Sequence, residues 1–229
     1  STAVYYIAEN KNIKDNVSEF EKKFKLRLSD LHRKNFLSKK NKQITISNLK
    51  GKPENIILHK VKTGEKFTVD YFRNHLAGLI KESKDDELHI FIPDMEYFKK
   101  YFDDEEYYYQ SFLEGLSLGN YSFDKYKKEK DKTRNLSVYI YAEDQKLVKS
   151  AIIKNNFLIE GIIFTKDLQN EPPSSLRPFE LADKIKETLT TAGLKVTVFD
   201  EKEIKKRNMG GLLAVGQGSS AKPRFIVIE

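Results

Sequence analysis

Apolar positions along this chain follow two spacings, and the changes between them mark out its elements. Residues Ala3 to Ala8 (AVYYIA) are short, β-branched and aromatic, which predicts a first strand. From Asn10 to Lys42 both spacings coexist. Phe20, Phe24 and Leu28 fit a helix, whereas Phe24, Leu26 and Leu28 alternate as a strand would, so the conformation there stays open. Ser29 and Asp30 can cap a short helix carrying Leu31 and Phe36. Gln43 to Ser47 and Asn55 to Val61 read as two strands, and the turn Gly51 to Asn55 between them suggests an antiparallel hairpin. Thr68 is placed to cap a helix whose Val69, Phe72, Leu76, Leu79 and Ile80 share one face.

The second half continues this alternation. Leu88 to Ile92 is a nearly unbroken apolar run closed by Pro93, as expected for a strand buried on both faces. Met95 to Leu118 carries the aromatic series Tyr97, Phe98, Tyr101, Phe102, Tyr107, Tyr108, Tyr109 and Phe112. Aromatics among lysines can stack nucleic-acid bases, but at helical spacing the weight falls on core packing. Leu118 to Lys127 reads as a turn, Glu129 to Asn135 as an exposed connection, and Leu136 to Ala142 as a strand. Glu143 to Leu168 contains no proline and has an apolar stripe through Leu147, Ala151, Leu158 and Ile162, so it predicts a long helix. Pro172 and Pro173 end it. A helix from Pro178 carries Leu181, Ala182, Ile185 and Leu189 up to Gly193. A strand (Lys195 to Phe199), a short helix (Glu201 to Arg207) and two more strands, Leu212 to Val215 and Arg224 to Ile228, complete the α/β pattern.

Composition narrows the functional classes. No window reaches the roughly 18 apolar residues of a membrane span, and STAVYYIAEN has neither the basic leader nor the apolar stretch of a signal peptide. The chain has no cysteine, which removes disulfides and thiolate metal sites and fits a cytoplasmic setting. The net charge of +7 comes from 41 basic and 34 acidic residues that interleave, as in Lys125 to Lys132. Such mixing describes a solvated surface more readily than a nucleic-acid footprint.

Candidate chemistry is sparse. His32, His59, His75 and His89 are widely spaced and form no HxH or HExxH pair. His59 and His89 lie in strand-like runs and His75 beside an apolar helix face, where satisfied structural histidines are expected. Asp103 to Glu106 could hold a hard cation, but no glycine-bearing ligand loop accompanies them, so a solvated helix segment is expected. Gly216 to Ser220 (GQGSS) lacks the lysine of a phosphate-binding P-loop and the spacing of a dinucleotide fingerprint, and reads as a turn between two strands. No GxSxG elbow is present.

Four strings in register change the picture: LGNYSFDKYK, TKDLQNEPPS, the helix from Pro178, and NMGGLLAVGQGSS followed by PRFIVIE. Their order and intervals over Leu118 to Glu229 resemble the leucyl aminopeptidase (cytosol aminopeptidase) family. Upstream, only the alternation of strands and helices does. The resemblance implies a macrodomain-like N-terminal domain with a mixed sheet flanked by helices (1–142), a linking helix (143–170) and the incomplete start of an α/β catalytic domain (171–229). It further implies a homohexamer, peptide substrates that lose their N-terminal residue, and two divalent ions, zinc or manganese.

The family's metal ligands sit in GKGxxFDSGG-type and NTDAEGR-type segments downstream of the strand matching PRFIVIE. Neither segment occurs here, so no catalytic, cofactor-binding or metal residue is expected in this chain and these residues alone are expected to be inactive. A DNA-binding module and an inert assembly partner are the alternatives that the resemblance carries. Two positions depart from the family. Ser174 stands where asparagine is usual. Arg177 stands where threonine commonly caps the helix, which leaves Ser174 or Ser175 as the expected cap. The N-terminal half lacks a glycine-rich phosphate loop, so ADP-ribose binding is not expected.

Overall fold

The computed structural model of the chain describes residues 1–38, 41–47, 53–65, 67–128 and 135–229. It divides into two compact units, 1–161 and 162–229. Residues 129–134 of the expected exposed connection and residues 51–52 of the expected turn Gly51 to Asn55 lie outside the described residues.

Unit 1 is built on strand β1 (Thr2–Glu9). It pairs in parallel with β3 (Asn55–Lys62) on one side and β4 (Glu87–Phe91) on the other, through registers such as Val4 with Ile57 and Val4 with Ile90. Strand β2 (Gln43–Ser47) closes one edge antiparallel to β3, forming the expected antiparallel pair, and β5 (Ser137–Tyr141) closes the other edge in parallel. The order is β2-β3-β1-β4-β5. A central strand must be apolar on both faces, and β1 has six of its eight residues buried.

Helices cover both faces. On one, Ile7, Ile44 and Leu58 pack against Val17 and Phe20 of α1 (Ile13–Lys23) and Phe36 of α2 (Asp30–Leu37). This resolves the ambiguous stretch as two helices. A backbone with positive φ at Lys25 lies in the turn between them, so Leu26 and Leu28 continue neither periodicity. Ser29 caps α2 as expected, its hydroxyl accepting from the His32 N–H. On the opposite face, α3 (Val69–Glu82), α4 (Glu105–Gly119) and the first part of α5 (Gln145–Asn170) bury Phe72, Leu76, Tyr108, Phe112 and Val148. Thr68 caps α3 through the Tyr71 N–H. Much of the aromatic series is core: Phe98, Tyr108 and Phe112 are fully buried, and the Tyr108 hydroxyl donates to the Pro93 carbonyl at 2.7 Å. Those rings are therefore closed to nucleic-acid bases.

Helices α3 and α4 approach closely because α4 carries glycine where they cross. A Cβ at Gly115 would stand 2.8 Å from the Arg73 carbonyl oxygen, and one at Gly119 2.6 Å from that of Ala77. One expectation for the sheet needs correction. Leu88 and Ile90 of β4 are buried, while Glu87, His89 and Phe91 on its other face are only half-buried, His89 and Phe91 stacking there on Tyr139 and Tyr141 of the edge strand β5.

Unit 2 is small. Helix α6 (Pro178–Thr191) ends at Gly193, whose positive φ of +88° turns the chain into β6 (Val196–Phe199). Strand β7 (Phe225–Ile228) runs antiparallel to β6, pairing Val196 with Ile228 and Phe199 with Phe225. Between them lie α7 (Glu201–Lys206), capped by Asp200, and α8 (Gly210–Gly216). Residues Leu212 to Val215 are thus helical and not the expected strand. A short apolar run has no decisive period, and here Leu212, Leu213 and Ala214 are good helix formers. The GQGSS loop consequently follows a helix and does not join two strands. Ala182 and Ile204 are buried in this unit.

Candidate functional site

Each acidic residue of the Asp103 to Glu106 cluster except Asp103 has a local partner. Asp104 caps α4 by accepting the Tyr107 N–H at 2.7 Å, Glu105 accepts from the Tyr109 hydroxyl, and Glu106 pairs with Lys154. Among the described residues, no group of three or more histidine, aspartate or glutamate side chains converges as a metal site. The residues described therefore do not fit the two-ion centre that the family resemblance implies, and no catalytic step can be routed through them.

The histidines divide into two kinds. His89 is satisfied, with Nε2 2.7 Å from Glu87 Oε1 and Nδ1 2.9 Å from the Tyr141 hydroxyl. His32 sits at the start of α2, its Nδ1 3.1 Å from the Ser29 hydroxyl. His59 and His75 differ from expectation. Their rings meet edge to face with centres 5.2 Å apart, and both His59 ring nitrogens, together with His75 Nε2, are shielded without a hydrogen-bond partner. Burial, then the neighbouring His75, lowers His59 to about 3, and burial, then the Lys42 charge, lowers His75 to about 4. Both rings are neutral at pH 7.

Unit 2 holds a shallow cleft of about 260 Å³ between the start of α6 and the segment entering β7. Arg177, Phe179, Glu180, Ala221, Lys222 and Arg224 line it. Arg177 is the N-cap of α6 but offers no side-chain cap to the helix, and Pro178 at the first position needs none for its own nitrogen. Neither Ser174 nor Ser175 takes over as the cap, because the cap position is Arg177 itself. Instead Arg177 Nε donates to Glu180 Oε1 at 3.0 Å. That guanidinium, helped by backbone N–H groups, holds the Glu180 carboxyl below the usual carboxylate range. Lys222 reaches Glu201 at 3.0 Å, and the Arg224 guanidinium lies over the Phe179 ring, 5.6 Å from its centre. Arg177 and Lys222 are thus paired with Glu180 and Glu201, and the Arg224 charge bears on Asp200, so the cations of the cleft are largely balanced. Its lining contains no nucleophile with an adjacent base. The sequence signal, Lys222 and Arg224 in AKPRF, is weak because their partners Glu201 and Phe179 lie far back in the chain.

The shared strings have structural roles. In SFDKYK, Asp124 accepts from the Ser122 hydroxyl at 2.8 Å and pairs with Lys127 at 2.6 Å, fixing the turn. In TKDLQNEPPS, α5 ends at Asn170, the Ser175 N–H donates to the Pro172 carbonyl at 2.8 Å, and the buried Glu171 side chain meets Lys184 at 3.2 Å.

Comparison with known proteins places these features. The sequence model described as the cytosol aminopeptidase family, catalytic domain, matches residues 163–229. A probable cytosol aminopeptidase of Sulfurihydrogenibium sp. (strain YO3AOP1) is 29% identical over 98% of this chain and 45% of its own length. One from Persephonella marina (strain DSM 14350 / EX-H1) is 32% identical over 78% of this chain and 36% of its own length. The fold is shared with a tomato leucine aminopeptidase mutant (TM-score 0.75, 19% identity, covering 99% of this chain and 47% of that one). It is also shared with the bottromycin maturation enzyme BotP (TM-score 0.73, 19% identity, 98% and 45%). The chain thus spans less than half the length of these relatives. Among the described residues, no helix is long and apolar enough to cross a membrane.

Proposed function

The chain belongs to the cytosol aminopeptidase family, also called leucyl aminopeptidases, and we propose that its residues form the N-terminal part of a metal-dependent exopeptidase that releases N-terminal amino acids from peptides. One observation carries this reading. The match to the family's catalytic domain begins only at residue 163, while nearly the whole chain aligns to 45% of a relative. In this reading, 1–142 is the macrodomain-like domain, 143–170 the linking helix, and 171–229 the opening of the catalytic domain. Two divalent ions, zinc or manganese, are held by residues outside these 229. When bound, they supply an activated water and a polarised carbonyl. The chain itself provides architecture and assembly toward a cytoplasmic homohexamer.

Within that role, residues described here keep their own tasks. Glu171 and Lys184 tie the end of α5 to α6, and Lys195 and Glu229 exchange backbone hydrogen bonds of 3.1 and 2.9 Å at the open end of the β6–β7 ladder. Both give a following catalytic segment a fixed point of departure. Reading the coding sequence past Glu229 tests the proposal. FDSGG-type and DAEGR-type segments are expected there, and an immediate stop codon would contradict it.

A further inference from the structure

We propose that Tyr6, His59 and His75 form a buried site for one borderline divalent transition-metal ion, of the zinc, cobalt or nickel class. Tyr6 and His59 are register partners on β1 and β3 and so present their side chains on the same face of the sheet. His75 meets them from α3. The Tyr6 ring centre lies 5.8 Å from each imidazole centre, and the imidazole planes stand at 90°. Two imidazoles bound to one tetrahedral ion, with metal–nitrogen bonds of about 2.0 to 2.1 Å, place their ring centres about 5 Å apart. The observed separation is 5.2 Å.

The donor atoms are otherwise idle. Both His59 ring nitrogens, His75 Nε2 and the Tyr6 hydroxyl are shielded and lack hydrogen-bond partners, and Tyr6 and His59 are more than nine-tenths buried. Buried polar groups are nearly always partnered, so a concentration of idle ones calls for a ligand. Its chemistry follows from the donors. Two neutral imidazoles and a phenol that releases its proton to solvent on ligation, against the burial that raises it, suit an imidazole-seeking ion and not calcium or magnesium. The Lys42 charge that bears on His75 opposes a cation there and thereby provides a handle on the affinity.

Cobalt(II) titration of the metal-free, tag-free chain at pH 7 is the test. One equivalent should produce the intense visible ligand-field bands of tetrahedral cobalt. His75→Phe should weaken binding at least about tenfold, Lys42→Gln should tighten it, and a His32→Asn, His89→Asn chain should keep the bands. Absence of tetrahedral bands overturns the proposal, as does their survival in a His59→Phe, His75→Phe chain or their loss in the His32, His89 control. Where circular dichroism shows the histidine variants unfolded, Tyr6→Phe, which keeps the ring and removes the donor oxygen, decides: bands and affinity unchanged from the parent chain contradict the site.

Discussion

The Arg73 guanidinium donates from Nε to Glu114 Oε2 at 2.6 Å, joining α3 to α4 beside the close approach at Gly115. Glu114 is buried, and Gln110 donates to its other oxygen at 3.0 Å. Removing the carboxylate leaves a partly shielded guanidinium without its main partner. Glu114→Ala should cost about 2 to 3 kcal/mol, less than for a wholly buried pair because Arg73 keeps some access to water. Urea unfolding followed by circular dichroism measures it.

The helix crossing gives a second prediction. At Gly119 a methyl group would press on the backbone of Ala77 and not on the free end of a side chain, so relief requires moving the helices apart. Gly119→Ala should destabilise unit 1 by about 1 to 3 kcal/mol despite alanine's higher helix propensity. Gly78→Ala, at a position with open space, should be neutral or stabilising in the same thermal melt.

Acid sensitivity follows from His59 and His75. Their folded-state values, about 3 and about 4, lie below the ordinary 6.5, so the unfolded chain binds more protons between these limits. The stability they contribute is complete above about pH 6.5 and falls as pH drops toward 4, by a few kcal/mol in the metal-free chain. His75→Phe should flatten the urea midpoint between pH 6.5 and 4. An unchanged slope would show that other groups set it.

The start of α6 has room for improvement. Arg177 occupies the cap position without capping, and its pairing with Glu180 is exposed and therefore weak. Arg177→Ser supplies a hydroxyl acceptor for the N–H groups of the first turn and should stabilise unit 2 by about 0.5 to 1 kcal/mol. Amide exchange in α6 reads this locally.

Residues whose partners are close in sequence were legible. Thr68, Ser29 and Pro178 marked their helices because a cap acts within three residues, and Phe72, Leu76 and Ile80 announced a buried face through spacing alone. Leu212 to Val215 was misread because four apolar residues between glycines fit either period. The His59–His75 contact and the cleft joining Arg177 to Arg224 had no local signal, since both depend on how distant segments pack. The acidic run Asp103 to Glu106 was expected as a solvated helix segment, and its capping of α4 and its pairing with the distant Lys154 became visible only in the fold.

In the proposed reading, this chain carries part of the architecture of a cytosol aminopeptidase, and the metal-binding segments lie outside these 229 residues. Hydrolysis of leucine p-nitroanilide by the chain, verified by mass and supplied with manganese or zinc, tests it most directly. The account predicts no turnover above the metal-only rate. Robust hydrolysis abolished by a chelator and restored by metal would contradict it.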